Sequence, residues 1–276
     1  MPDPKTAVIT GASSGIGKSA AKALAAQGWH VIAHGRDPAR SAEAEADIRD
    51  GAIGQVDFLT ADLCLLSDTA TMADAIAGLT DKVDVLLNNA GGMRAEFALT
   101  SEGNEVTFAG NHLGHFLLTK RLTPHLKAAS AARIINTSSD AANYCQGLDW
   151  DDLQSITKWD SGAAYCVAKL YNVMFARELA RRGFISHAFH PGVVGSNFTA
   201  HTTASTRAYM QTQDAITPDD AAQPLLWLAT SAEAGASTGL YWNKGVQEAA
   251  NPIALDDEAC ARLWEESENI LAKSGY

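Results

Sequence analysis

Cysteine is scarce in this chain of 276 residues: four in all, at 64, 145, 166 and 260, none in CxxC spacing. Thiols scattered in this way exclude a disulfide framework and a cysteine-built zinc site, and they fit a reducing compartment. Positive charge is short as well, with 21 Lys plus Arg against 32 Asp plus Glu and a formal charge of −11. A surface of that sign repels phosphate backbones, which excludes general nucleic-acid binding. No apolar run approaches the ~20 residues that cross a bilayer. The opening Met1-Pro2-Asp3-Pro4-Lys5 lacks the charged and apolar segments of a signal peptide. There is no internal repeat, no low-complexity tract and no Pro/Ser-rich linker. What remains, with 46% hydrophobic and 19% charged residues, is a globular chain able to bury a large core. The expectation is one cytoplasmic domain over residues 1–276, with no nucleic-acid or membrane partner.

Short apolar runs alternate with helix-like stretches. Thr6-Ala7-Val8-Ile9-Thr10, His30-Val31-Ile32-Ala33-His34, Gln55-Val56-Asp57-Phe58-Leu59 and Val83-Asp84-Val85-Leu86-Leu87 read as strands. So do Arg133-Ile134-Ile135-Asn136-Thr137, Ile185-Ser186-His187-Ala188-Phe189 and Gly239-Leu240-Tyr241-Trp242. Near-continuous apolar strands separated by helices predict an α/β fold, a doubly wound parallel sheet of about seven strands with helices on both faces. A C-terminal helix is expected over about 255–276. Ligands of such sheets bind beyond the carboxyl ends of the strands, so the chemistry belongs in the loops that start there.

The first of these loops is Thr10-Gly11-Ala12-Ser13-Ser14-Gly15-Ile16-Gly17, leading straight into an Ala-rich helix. Gly11 allows the tight turn, Gly15 lets backbone approach a phosphate, and Gly17 lets helix and strand pack closely. The helix start then offers free N–H groups and partial positive charge to a pyrophosphate. Three glycines alone also describe an ordinary turn; their place between strand and helix favours a dinucleotide. The second strand ends His34-Gly35-Arg36-Asp37. Arg36 can pair with a 2′-phosphate, which favours NADP(H) over NAD(H). Asp37, one register slip away, is the competing ribose ligand.

Tyr165 and Lys169 stand at i and i+4, on one face of a long amphipathic helix. A phenol of pKa ~10 is a poor base at pH 7, and a nearby ammonium together with a cationic nicotinamide ring is expected to lower it. Such a tyrosine can exchange a proton with an alcohol or carbonyl. Ser138 and Ser139 follow the fifth strand, where a hydroxyl can hold a substrate oxygen. Asn88-Asn89-Ala90-Gly91 follows the fourth in the same way, and Asn111 sits in a helix that gives Asn little reason to be there without a partner. Taken alone, a Tyr–Lys pair on a helix surface is ordinary.

Together and in order, Gly11 to Gly17, Asn88-Asn89-Ala90-Gly91, Asn111, Ser139, Tyr165/Lys169 and Pro191-Gly192 resemble the short-chain dehydrogenase/reductase family over roughly residues 5–245. Asn111-His112-Leu113-Gly114-His115-Phe116 and His190-Pro191-Gly192-Val193-Val194 resemble its retinol dehydrogenase-like and WW-domain-oxidoreductase-like branch. The resemblance implies a Rossmann-type fold and assigns roles. Tyr165 would be the general acid/base, Lys169 would tune it and hold the nicotinamide ribose, Ser139 would orient the substrate oxygen, and Asn111 would support a proton-relay water. Cofactor contacts would come from Gly11, Ser13, Ser14, Gly15, Ile16, Gly17 and Arg36. Asp62 and Leu63 would contact the adenine; Asn89, Ala90 and Gly91 would line the cofactor, and Pro191, Gly192, Val194 and Ser196 would frame the nicotinamide.

Between Ser139 and Tyr165 lie 25 residues, a longer gap than the family's usual one. It is read as a substrate-side loop over about 140–160, and it keeps Ser138 as an alternative to Ser139. A second substrate-side loop is expected over about 195–215. Ser196 stands where the family usually has Thr. Membrane-bound relatives carry an N-terminal anchor that this sequence does not show.

The histidine pairs His112/His115 and His187/His190 have no acidic partner at ligand spacing, so no metal is expected. Cys166 is placed on a different side of its helix from Tyr165. The leading expectation is an NADP(H)-dependent oxidoreductase interconverting a small-molecule carbonyl and alcohol. Rivals are an NAD-dependent alcohol dehydrogenase of the same fold and a non-catalytic dinucleotide-binding sensor or scaffold. A homodimer or homotetramer is expected, paired through the Ala- and Leu-rich stretches 113–126 and 170–179.

Overall fold

A computed structural model describes residues 4–276 and, at Asn197, the backbone alone. Residues 1–3, part of the opening stretch read above for a leader, lie outside the described residues. Eight strands form one sheet: β1 (Thr6–Ile9), β2 (His30–Gly35), β3 (Val56–Thr60), β4 (Val85–Asn88), β5 (Arg133–Thr137), β6 (Ile185–His190), β7 (Leu240–Asn243) and β8 (Val246–Glu248). The order is β3-β2-β1-β4-β5-β6-β7-β8, parallel except for β8 against β7. The seven expected strands are there within one or two residues. The eighth is new: its three residues are all exposed, so no apolar run marks it.

The helices are α1 (Gly15–Ala26), α2 (Pro38–Arg49), α3 (Leu66–Leu79), α4 (Val106–Phe108), α5 (Gly114–Ala128) and α6 (Ser161–Arg181). They continue with α7 (Ala204–Gln211), α8 (Pro218–Thr230), α9 (Ala232–Gly235), α10 (Pro252–Leu255) and α11 (Asp257–Lys273). One π-helical turn, Ala109–Leu113, joins α4 to α5.

Period-two alternation sorts the strands onto two cores. Val8, Ile32, Leu86 and Ile134 face the core shared with α3, α5, α6 and α11. Ala7, Ile9, Val31, Leu87, Ile135 and Phe189 face the core shared with α1 and α8. Both faces of the central strands are therefore dry, which is why they read as continuous apolar runs.

The C-terminal helix corrects one expectation. On α11, Leu263 and Leu271 are buried, and the Trp264 ring lies 4.8 Å from Phe116 and 5.9 Å from Phe175. His112 Nε2 donates to Ser267 Oγ at 2.9 Å. The faces of 113–126 and 170–179 expected to pair two copies are thus covered by the chain's own tail.

Candidate functional site

Strand order reverses at β1, with β2 on one side and β4 on the other. Such a switch point leaves a crevice beyond the strand ends, and here a cleft of about 820 Å³ opens. Gly11 and Gly15 have φ of +70° and +56°, which side-chain-bearing residues adopt at a cost. A Cβ at Gly11 would lie 2.9 Å from Ala90 Cα, and one at Gly17 would lie 2.4 Å from Gly11 O. The loops after β1 and β4 can close on each other only through glycine.

Helix α1 receives no side-chain cap from Ser14. By contrast Asp37, Asp160 and Asp256 cap α2, α6 and α11. The first N–H groups of α1 are left for a ligand, at the positive end of the helix. Ser13, Ser14, Gly15 and Ile16 all line the cleft. Gly17 lies beneath it, where its missing side chain admits Gly11 O and Asn89 Nδ2.

Beneath the loops lies a buried polar clamp that the sequence reading missed. Thr10 Oγ1 accepts from the backbone N–H groups of Asn89 (2.9 Å) and Ala90 (3.0 Å). His115 Nδ1 donates to Asn111 O at 3.1 Å, so its Nε2 accepts the Thr10 hydroxyl at 2.9 Å. His34 Nε2 donates to Ala61 O at 3.0 Å, while its Nδ1 faces the Gly11 N–H at 3.4 Å. Burial holds both imidazoles neutral: it pushes His34 down, and His115 down to about 3. The readable signal was a polar side chain within apolar runs, which demands buried partners.

At the end of β2, Arg36 is exposed and lines the cleft. Asp37 is spent elsewhere: its Oδ1 accepts from Arg40 N at 2.9 Å as the cap of α2. The sequence carried that signal, since Pro38 directly after an Asp marks a helix start. A Cβ at Gly35 would lie 2.6 Å from Ser41 Oγ and 2.8 Å from Ser13 Cβ, so no acidic side chain fits there. Asp62 and Leu63 form the wall beyond β3. The Asp62 carboxylate accepts from Cys64 N at 3.0 Å.

At the other end Tyr165, Lys169, Ser139 and Asn111 converge on the same cleft. Lys169 is buried, with Nζ 5.6 Å from the Tyr165 ring centre and 3.1 Å from Thr137 O. Gly91, at φ +151°, makes room for it: a Cβ there would stand 3.1 Å from Lys169 Nζ and 2.4 Å from Asn111 Oδ1. Asn111 sits in the π turn, a distortion frequent at functional sites. Its side chain donates to Thr107 O (2.7 Å) and Gly92 O (2.9 Å) and accepts from Gly92 N (3.0 Å). These are the partners its helical position called for.

The two serines separate. Ser138 is buried and donates to Lys169 O at 2.7 Å. Ser139 faces the Tyr165 phenol, and its Oγ donates to Asp140 Oδ1 at 3.1 Å.

The protein groups alone set the Tyr165 phenol differently from the joint effect of Lys169 and a cationic nicotinamide ring expected above. Burial pushes the phenol well above its ordinary value, the Ser139 hydroxyl opposes this, and the Asp140 carboxylate reinforces it. Burial also pulls Lys169 down to about 8. Lys169 is buried and Tyr165 half-buried, and burial disfavours the charged form of each.

Pro191, Gly192, Val194 and Ser196 line the cleft beyond β6. Gly195 N donates to Ile216 O at 3.0 Å and Ile216 N to Val193 O at 2.9 Å, closing the base of the 195–215 excursion. From it Phe198, Tyr209 and Met210 reach the cleft, and the Phe198 ring stands 5.5 Å from Tyr165. Of the 140–160 insertion only Asp140, Ala141 and Tyr144 do so. The rest packs on the body: Leu153 O accepts from Tyr171 Oη at 3.0 Å, and Arg262 lies 4.4 Å over the Trp150 ring. Cys166, expected on another side of its helix, also lines the cleft.

Set beside known proteins, residues 5–207 match the family described as short chain dehydrogenase. The chain is similar to human retinol dehydrogenase 13, with 38% identity covering 97% of this chain and 84% of that protein. With human retinol dehydrogenase 12 the identity is 34%, covering 97% and 86%. A crystal structure of an uncharacterized protein from Mycobacterium paratuberculosis superposes with a TM-score of 0.76 at 31% identity, covering 96% of this chain and 92% of that one.

Proposed function

The chain belongs to the short-chain dehydrogenase/reductase family, in its retinol dehydrogenase-like part, and from that premise we propose an NADP(H)-dependent oxidoreductase that interconverts a carbonyl and an alcohol with Tyr165 as general acid/base. Oxidoreduction at carbonyl and alcohol groups goes with the family; the preference for NADP(H) and the residue roles are our reading. One observation carries it: a single cleft joins the uncapped start of α1 to the Tyr165, Ser139 and Lys169 side chains.

A nicotinamide dinucleotide fits the residues present. The glycines leave a cradle that a Cβ at position 11 or 91 would fill. The N–H groups of Gly15 and Ile16 would bind pyrophosphate at the helix start. Arg36 pairs with a 2′-phosphate, and the competing Asp37 is occupied as a cap. Asp62 and Leu63 would contact the adenine, Asn89, Ala90 and Gly91 would line the cofactor, and Pro191, Gly192, Val194 and Ser196 would frame the nicotinamide. When bound, the dinucleotide supplies or accepts the hydride.

The chain's own groups handle the proton. Ser139 orients the substrate oxygen, and Tyr165 holds a proton beside it. A phenol kept protonated by burial suits the reducing direction, in which it gives that proton to the developing alkoxide. The Lys169 ammonium, 5.6 Å from the ring, then balances the phenolate left behind. Asn111 holds the Gly92 backbone, and its segment supports the route by which Tyr165 regains a proton.

We take residues 1–276 as one such domain, acting in the cytoplasm on a small molecule. Self-association, if it follows family habit, must use a face other than the one α11 covers.

The reading is tested by following NADPH consumption with a panel of ketones and aldehydes, in wild type and Arg36→Ala. Turnover with NADPH is expected, with about a tenfold selective loss of kcat/KM for NADPH in the variant, the size of one charge-assisted contact. No turnover across the panel would contradict the enzyme, and an equal loss with NADH would contradict the 2′-phosphate role.

A further inference from the structure

Pyrophosphate carries two negative charges, and a helix start supplies about half a positive one. Arg36 and Arg40 stand at the far, ribose end of the cleft. The rest of the compensation has to come from another wall, and one wall has it. Arg94, in the loop after β4, is half-buried and lines the cleft in a chain of net charge −11. Among the described residues it has no carboxylate within ion-pair distance, whereas Arg40 faces Asp37 at 3.7 Å. Its backbone is pinned, because Arg94 O accepts from Ser161 Oγ.

Burial and the Asp62 carboxylate push the Cys64 thiol up to about 12, and the Arg94 guanidinium opposes them. The 195–215 excursion folds over the same place. A Cβ on Gly15 would lie 3.4 Å from Ser196 Cβ, and Thr206 Oγ1 contacts Met93 Sδ at 3.7 Å. That excursion brings His201 onto the cleft wall. Burial lowers the His201 pKa, and the positive charges of Arg94, Arg36 and Arg40 lower it further. Three arginines and the His201 imidazole therefore share one cleft; Asp37 pairs with Arg40, and the Asp62 carboxylate already accepts from Cys64 N. Repulsion of that kind persists in a fold where something negative relieves it.

We propose that Arg94, assisted from the lid by His201, is a second phosphate grip that meets the pyrophosphate of the dinucleotide across the cleft from the start of α1. It rests on the dinucleotide reading above and extends it to a residue outside the glycine turn. Arg36 selects between cofactors; Arg94 binds the part that both share. Because His201 rides on the 195–215 excursion, the same contact couples that lid to a phosphate.

Calorimetric titration of the full chain with ADP, adenosine, NADP⁺ and NAD⁺ tests this without any turnover. Arg94→Ala should weaken ADP, NADP⁺ and NAD⁺ alike by about tenfold, as expected of one charge-assisted contact. Adenosine affinity and melting temperature should not move. His201→Ala should show the same pattern at about threefold. Unchanged ADP affinity in Arg94→Ala, a loss confined to NADP⁺, or an equal loss for adenosine would each overturn the proposal. The two readings fail separately: a wild type that binds none of the dinucleotides sinks the cofactor assignment, and with it this one. A wild type that binds them and an Arg94→Ala variant that binds them equally sinks this one alone.

Discussion

At the dinucleotide end of the cleft the wall is backbone, fixed from beneath by the neutral side chains of Thr10, His34 and His115. At the substrate end it is side chains on excursions: Tyr144 is 75% exposed, Tyr209 is 62% exposed, and α7 buries no residue at all. The first end is specified by packing, so a cofactor common to many reactions can be held by a fixed frame. The second is free to vary without disturbing the sheet. Loops on a rigid scaffold usually carry specificity for this reason.

The largest effect should come from breaking the rigid end. Gly17→Ala forces a methyl to within 2.4 Å of Gly11 O and 2.6 Å of Asn89 Nδ2, neither of which can yield without moving the turn. A loss of about 3 kcal/mol in urea unfolding is expected, as for overpacking a tight contact. Retained stability would mean that the two loops do not need their close approach.

Acid should also act on the buried end. Burial lowers both His112 and His115 to about 3, against about 6.5 when unfolded. Between those values the unfolded chain binds more protons, so stability falls as pH falls through this window. Each imidazole costs on the order of 2 kcal/mol by pH 5. Thermal melts from pH 7 to pH 5 check this, and His112→Leu should flatten part of the slope. A slope unchanged by that substitution would show that the imidazole is not the titrating group.

The smallest effect on stability should come from the variable end. Tyr209→Ala should shift unfolding by no more than ~0.5 kcal/mol, as for other exposed positions, while raising KM for the carbonyl and leaving NADPH affinity alone. A change in NADPH affinity would erase the distinction between the two ends.

The sequence made the frame legible because local signals and long-range demands agree there. The strands are apolar on both faces, and glycines at 11, 15 and 17 announce a turn onto a helix. Asn111, Ser139 and the Tyr165/Lys169 pair lie far apart in the chain yet reach one cleft, because each sits just beyond a strand end or on a helix that borders one. What stayed hidden depends on contacts between distant segments. Thr10 and His115 are 105 residues apart, and His112 meets Ser267 across 155; no periodicity reports such a pair. The insertion after Ser139 reads as a loop, yet Tyr171 and Arg262 hold most of it against the body. The amphipathic pattern of α5 and α6 shows that a partner covers them, without showing that the partner is α11. The protonation of Tyr165 stayed hidden for another reason: spacing fixed the pair on one face, while burial, which spacing does not report, pushes the phenol up.

The central claim is that Tyr165 carries the proton in a cleft whose other half holds the dinucleotide. Its most direct test measures NADPH binding and carbonyl turnover together in Tyr165→Phe, which removes one oxygen and leaves the ring beside Phe198. The account predicts NADPH affinity within about twofold of wild type and turnover reduced at least ~10²-fold, the range of general acid–base catalysis. Turnover near the wild-type rate with NADPH bound would contradict it.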